Sequence, residues 1–195
     1  MDYLLANWLE VLGLLSGVLC VWLLIRENVL TFPIGLVYAV ITVVVVARAN
    51  LFADVVLNVY YVAMNAYGWY FWRFGGQQRR RANTLSVGLV PGSQWVWIVI
   101  AIVFGTSMMG WYFATQTDAA LPYPDSFTTV ASFLAMWMSA RKYLESWILW
   151  LIIDVVQVVL YLVKGIEAYA LLYLIYLGMA VSGWLNWRKH LVRNL

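Results

Sequence analysis

The stretch Tyr61-Val62-Ala63-Met64-Asn65-Ala66-Tyr67-Gly68-Trp69-Tyr70-Phe71-Trp72-Arg73 returns, 115 positions later, as Tyr176-Leu177-Gly178-Met179-Ala180-Val181-Ser182-Gly183-Trp184-Leu185-Asn186-Trp187-Arg188. The same offset carries Trp22 and Arg26 onto Trp137 and Arg141. It also carries Leu19, Leu36, Val40, Val43, Val44 and Leu57 onto Leu134, Leu151, Val155, Val158, Val159 and Leu172, with no gap between anchors. The chain therefore reads as a duplicated unit, a construction common among proteins that move solutes across membranes.

With 65% hydrophobic and 11% charged residues, the 195-residue chain has too little polar surface to coat a soluble globule. It reads as an all-α integral membrane protein. Seven apolar segments, at about 9–25, 29–47, 53–72, 95–115, 126–140, 146–163 and 168–187, are each close to the length a spanning helix needs. They are apolar at nearly every position, whereas a barrel would show shorter, alternating segments. The first segment has no basic leader and no clear small-residue cleavage site, so it is read as a retained helix. The single cysteine, Cys20, lies inside it and excludes an intrachain disulfide.

With seven spans, Arg26, Arg73, Arg79, Arg80, Arg81, Arg141, Lys142, Arg188, Lys189 and Arg193 fall on one side, ten of the twelve basic residues. Only Arg48 and Lys164 fall on the other, beside Asp2, Glu10, Asp54, Asp118, Asp125 and Glu167. The positive-inside rule then puts the N-terminus outside and the C-terminus in the cytoplasm. The net charge of +3 follows from topology and calls for no nucleic-acid partner.

Each repeat holds three segments, so direct fusion would invert the second copy. The fourth segment, which has no partner at the 115-residue offset, restores its orientation. The expected plan is two parallel three-helix repeats, residues 9–73 and 124–188, joined by a loop and linker helix over 74–123. Parallel repeats place a substrate site between the units near mid-membrane, the arrangement of the SWEET transporters.

Asn58, Tyr61, Asn65, Trp69 and Trp72 step by three and four residues and share one helical face. Their counterparts include Tyr173, Tyr176, Trp184 and Trp187, with Ala180 in place of Asn65. An amide facing lipid is costly, so Asn58 and Asn65 face a neighbouring helix or a cavity. Trp72 and Trp187, each followed by arginine, suit either an interfacial belt or a site. The sixth segment adds Trp150, Asp154, Gln157 and Tyr161 at steps of four, three and four.

Asp154 is the only acidic residue well inside a span, and an ionisable group there is a functional candidate. Its structural alternative is a buried partnership with Lys164, Arg48 or a tyrosine hydroxyl. A carboxylate ringed by tryptophan and tyrosine favours a flat cation, since each aromatic face attracts a cationic ring by roughly 0.5–2 kcal/mol. Pro33, in Thr31-Phe32-Pro33-Ile34-Gly35, suits a helix start capped by Thr31 or Asn28. Pro33 and Gly35 together also suit a hinge.

The pattern Asn58-x-x-Tyr61-x5-Tyr67-Gly68-Trp69-x-x-Trp72 resembles the third-helix signature of the PnuC family of bacterial vitamin transporters. Arg141, Glu145, Trp147, Trp150, Asp154, Tyr161, Lys164-Gly165, Tyr173, Gly183 and Trp187 resemble its second-repeat signature. The resemblance implies a three-plus-one-plus-three fold in a bacterial inner membrane and a homotrimer. It also implies facilitated diffusion of an unphosphorylated B vitamin that cytosolic phosphorylation then traps. Nicotinamide riboside and thiamine, both with cationic aromatic rings, are known substrates of the family. The chain lacks the longer N-terminal extension of the nicotinamide riboside members and its polar inventory is lean, which favours thiamine. Proton coupling through Asp154 and riboflavin as cargo are the alternatives within this class.

Other classes fit less well. A retinal protein needs a Schiff-base lysine within the last helix, and the only lysine there, Lys189, is in the tail. A haem protein needs axial ligands in the membrane, and the sole histidine, His190, is also in the tail. No nucleophile and base pair suggests an enzyme, and no cofactor or metal is expected.

Overall fold

A computed structural model describes residues 8–48, 52–75, 80–81 and 84–192. Asp2, Arg79 and Arg193, used in the topology reading, lie outside the described residues. Seven helices follow one another among the described residues: α1 (Trp8–Ile25), α2 (Thr31–Arg48), α3 (Phe52–Phe74), α4 (Gly92–Gln116), α5 (Pro122–Ala140), α6 (Ser146–Val163) and α7 (Glu167–Val192). Between α3 and α4, β1 (Arg80–Arg81) pairs antiparallel with β2 (Thr84–Leu85). These helices match the seven apolar segments one for one. Three of them, Gly92–Gln116, Ser146–Val163 and Glu167–Leu191, are long and apolar enough to cross a membrane by length and composition.

The chain divides into two compact units, one through Leu85 and one from Ser86 onward. In the first unit α2 packs along α3 and α1 along α2. In the second, α4 packs on α5, α5 on α6 and α6 on α7.

Small residues let the second unit's backbones approach. Ala131 and Ala135 of α5 are fully buried against Ile153 of α6. Gly110 of α4 sits so close to Tyr123 that a Cβ there would meet the ring at 2.5 Å. Several helix hydroxyls are satisfied by the carbonyl one turn back, whereas the buried Thr106 and Ser146 hydroxyls have no partner among the described residues. Thr42 Oγ1 donates to the Tyr38 carbonyl at 2.9 Å, Ser126 Oγ to Pro122 at 2.7 Å and Ser182 Oγ to Gly178 at 2.9 Å.

Helix α1 ends with Glu27 in the left-handed region, at φ 55°, where the Glu27 N–H donates to the Leu24 carbonyl and the Asn28 N–H to that of Leu23. Helix α5 ends in the same way at Lys142, φ 56°, with the Lys142 N–H bonded to Ser139 and the Tyr143 N–H to Met138. Both are Schellman ends built on a residue other than glycine. The two turns stand 115 residues apart and agree bond for bond. Gly165 closes α6 likewise, at φ 70°.

The turn after α5 carries an addition. Its Leu144 N–H donates to the Gly88 carbonyl at 2.9 Å, and the Gly88 N–H donates to the Lys142 carbonyl at 3.0 Å. The Glu145 carboxylate accepts the Val90 N–H with both oxygens at 3.1 Å. Val87, Gly88 and Val90 are buried by this docking, and the chain is led into α4. The position matching Glu145 in the first unit is Leu30, which is exposed.

Candidate functional site

Thr31 does not cap α2. Its hydroxyl donates to the Cys20 carbonyl at 2.8 Å and ties α1 to α2, while Asn28 Oδ1 accepts the Leu30 N–H at 2.9 Å. The turn before Pro33 is thus held by Asn28 alone of the two expected caps.

Asn58 and Asn65 are both buried, as their amides require. Asn65 Nδ2 donates to the Tyr61 carbonyl one turn back, at 2.8 Å. Its Oδ1 lies where a side chain on Gly35 would go, 2.5 Å from an ideal Cβ. The glycine on α2 is therefore explained by close packing against α3. The equivalent positions of the second unit exchange the volumes: Trp150 stands for Gly35 and a buried Ala180 for Asn65.

The paired tryptophans serve their own units. Trp72 is buried and meets Phe32 edge to face, at 5.0 Å between centroids and 81° between planes. Trp187 is fully buried and meets Trp147, the counterpart of Phe32, at 5.3 Å and 86°. Gly68 gives room for Phe32, and Gly183 for Trp147. The belt reading of Trp72 and Trp187 is corrected on this point, because rings held inside a helix packing do not face the headgroups. Trp69, in contrast, is 43% exposed, and Trp184 is half-buried with the Arg188 guanidinium 4.9 Å from its ring.

Asp154 is 4% exposed on α6. Among the described residues none gives it a hydrogen bond or an ion pair. Lys164, one of its expected partners, is engaged elsewhere, with Nζ 2.7 Å and 2.9 Å from the Asp125 carboxylate oxygens. Arg48's side chain is outside the described set. No tyrosine among the described residues partners it either. One helical turn before Asp154, Trp150 is half-buried and its Nε1 donates to Ser139 Oγ at 3.1 Å, which fixes the indole plane. One turn after it, Gln157 is half-buried on the same face.

At the far end of that face, Tyr161 stacks with two rings of α7. Tyr169 stacks on it at 5.2 Å and 25°, and Tyr173 at 5.4 Å and 19°. Tyr176 meets Tyr173 edge to face at 5.8 Å. The second unit thus brings together Tyr161, Tyr173 and Tyr176 as the helical spacing predicts. Tyr169 and Asp125 are outside the sequence-derived set. The four-residue step from Tyr169 to Tyr173 is the signal that points to the first; Asp125 has none.

A family model described as nicotinamide mononucleotide transporter matches residues 7–189. The chain is 29% identical over 205 residues to the nicotinamide riboside transporter PnuC of Escherichia coli, covering 92% of this chain and 86% of that protein. It is 27% identical to the nicotinamide riboside transporter PnuC of Neisseria mucosa, over 96% of this chain and 74% of that one. It is 24% identical to the riboflavin/roseoflavin transporter RibM of Streptomyces davaonensis, over 92% and 84%. The fold is similar to a crystal structure of the vitamin B3 transporter PnuC, with a TM-score of 0.72 over 97% of this chain and 84% of that one at 24% identity.

Proposed function

Since the chain belongs to the nicotinamide mononucleotide transporter family, and its PnuC resemblance is thereby borne out, we propose that it carries an unphosphorylated B vitamin across the bacterial inner membrane. The observation that carries the reading is Asp154: a carboxylate buried in an apolar helix with no charge partner among the described residues. Such a group is expensive to retain unless a cation visits it. A planar cationic ring fits, because Trp150, Tyr161 and Tyr173 add flat faces along the same helical stripe and its neighbour.

Nicotinamide riboside is the cargo we favour. Relatives named for it align over nearly the whole chain, and its pyridinium suits Asp154. Thiamine, favoured by the lean polar inventory, is the second reading, supported by the same charge. Riboflavin has no such cation, and the relative named for it is more distant.

The remaining assignments belong to the same proposal. Asn58, Tyr61, Asn65 and Trp69 in the first unit, and Gln157, Tyr176 and Trp184 in the second, contribute polar and aromatic contacts. Trp72 and Trp187 hold the helices that present them. Matched Schellman ends and matched Phe32/Trp72 and Trp147/Trp187 packings support descent of the two units from one three-helix ancestor. Parallel three-plus-one-plus-three topology, an outside N-terminus, a cytoplasmic C-terminus, a homotrimer, uniport and trapping by phosphorylation complete it.

Tryptophan-quenching titrations of the purified protein with nicotinamide riboside, thiamine and riboflavin test the reading. Saturable binding is expected for nicotinamide riboside. It weakens in Trp69→Ala and is unchanged in Trp97→Ala, whose ring is 70% exposed. Failure of all three vitamins to bind sinks the assignment.

A further inference from the structure

The ring stack at the C-terminal end of α6 reaches beyond the site just proposed. Tyr161 is half-buried, and Tyr169, one of the rings stacked on it, is 50% exposed at the start of α7. The planes of Tyr173, Tyr161 and Tyr169 deviate from their neighbours by 19° and 25°. Such offset stacking is how neighbouring aromatic rings ordinarily pack, and the exposed part of Tyr169 offers the same kind of face to a further flat ring. Asp125 and Lys164 form an ion pair that is partly open to solvent, with side-chain exposures of 35% and 29%. That pair and the Glu167 carboxylate mark this end of the unit as polar.

From Tyr161 the stripe descends through Gln157 to Asp154, seven residues and so about 10 Å along the helix. One end is therefore wet and aromatic; the other is buried and charged.

We infer that Tyr169, with Tyr161 behind it, forms an outer docking platform on which a planar, electron-poor heteroaromatic ring stacks before it moves along α6 to Asp154. The inference rests on the vitamin-transport reading above. In the orientation proposed there, this end of α6 faces the outside, where the cargo arrives. Tyr169 acts by stacking alone, so its hydroxyl is dispensable. The Asp125–Lys164 pair fixes the end of α6 against the start of α5 and keeps the stack in register. Lys164 neutralises Asp125, so the exposed Glu167 carboxylate is the charge left near the platform, which adds a ring face and a solvent-screened attraction while Asp154 supplies the buried charge.

The test uses the full-length protein in proteoliposomes, with initial rates of nicotinamide riboside uptake over a range of external concentrations. Tyr169→Leu is expected to raise KM roughly three- to tenfold, the worth of one lost stacking face, with maximal rate within about twofold of the unaltered protein. Tyr169→Phe and Tyr169→Trp are expected to keep the original KM or lower it. Equilibrium quenching measured on Tyr169→Leu reports whether the Asp154 site is intact, and little change is expected there. Unaltered KM in Tyr169→Leu, or a KM raised as much in Tyr169→Phe as in Tyr169→Leu, overturns the platform while leaving the transport reading standing. If the unaltered protein neither binds nor carries any of the three vitamins, both readings fall together.

Discussion

Asn65 fills the space that a side chain on Gly35 would need: its Oδ1 is 2.5 Å from an ideal Cβ built on that glycine. In the second unit the large and small partners change places, as Trp150 and the buried Ala180. The bulky residue stands on α3 in the first unit and on α6, the counterpart of α2, in the second. Each solution also leaves a different chemistry, a buried amide in one unit and an indole N–H on Ser139 in the other.

Gly35→Ala should therefore destabilise the first unit by about 1–3 kcal/mol, the usual cost of overpacking. Asn65→Ala in the same chain should recover part of that loss, giving a coupling of about 1 kcal/mol. Thermal unfolding in detergent, read for both single variants and the double, checks it. Additive losses would show that the two residues do not share one space.

The glycines of α7 make opposite predictions. A methyl group on Gly183 would lie 2.5 Å from Trp147, which is buried and cannot retreat, so Gly183→Ala should cost about 1–3 kcal/mol. Nothing lies within 4 Å of a Cβ on Gly178, in the middle of the same helix. Gly178→Ala should then stabilise the helix by up to about 1 kcal/mol of propensity and raise Tm in thermal unfolding.

Glu145 holds the segment before α4 by accepting the Val90 N–H with two oxygens. Glu145→Leu, which installs the residue of the matching turn, leaves a buried donor unpaired and should cost about 1–3 kcal/mol. Glu145→Gln retains an acceptor and should cost less than half as much. Equal losses in the two variants would argue that the carboxylate plays another part.

Lys164→Met removes the partner of Asp125, not of Asp154. Both side chains of the pair are about a third exposed, so stability should fall by no more than about 1 kcal/mol. Binding of the cationic vitamin at Asp154 should be unaffected, whereas a tenfold change in Kd would place Lys164 in the substrate site.

Helix number and most helix bounds were legible because runs of apolar residues this long have few alternatives; α6 runs from Ser146 to Val163, as the hydropathy of 146–163 predicts. The apolar segment at 126–140 begins four residues inside α5, whose first turn holds Pro122 and Pro124 and so lies outside the apolar run, although proline there is a helix-start signal. Helical spacing brought Tyr161, Tyr173 and Tyr176 into one cluster. It could not reveal that Lys164 chooses Asp125, since a contact across 39 residues depends on how α5 and α6 pack. Trp72 and Trp187 invited a belt reading because arginine follows each of them. Their burial comes from Phe32 and Trp147, residues whose importance only the packing discloses.

The central claim is that Asp154 binds the cation of the cargo, and a quenching titration of Asp154→Asn with nicotinamide riboside beside the unaltered protein tests it most directly. The side chain keeps its size and loses only its charge. The account predicts a Kd about ten- to a hundredfold weaker, the worth of a hydrogen bond or contact to a charged group. An unchanged Kd in a folded Asp154→Asn protein would contradict it.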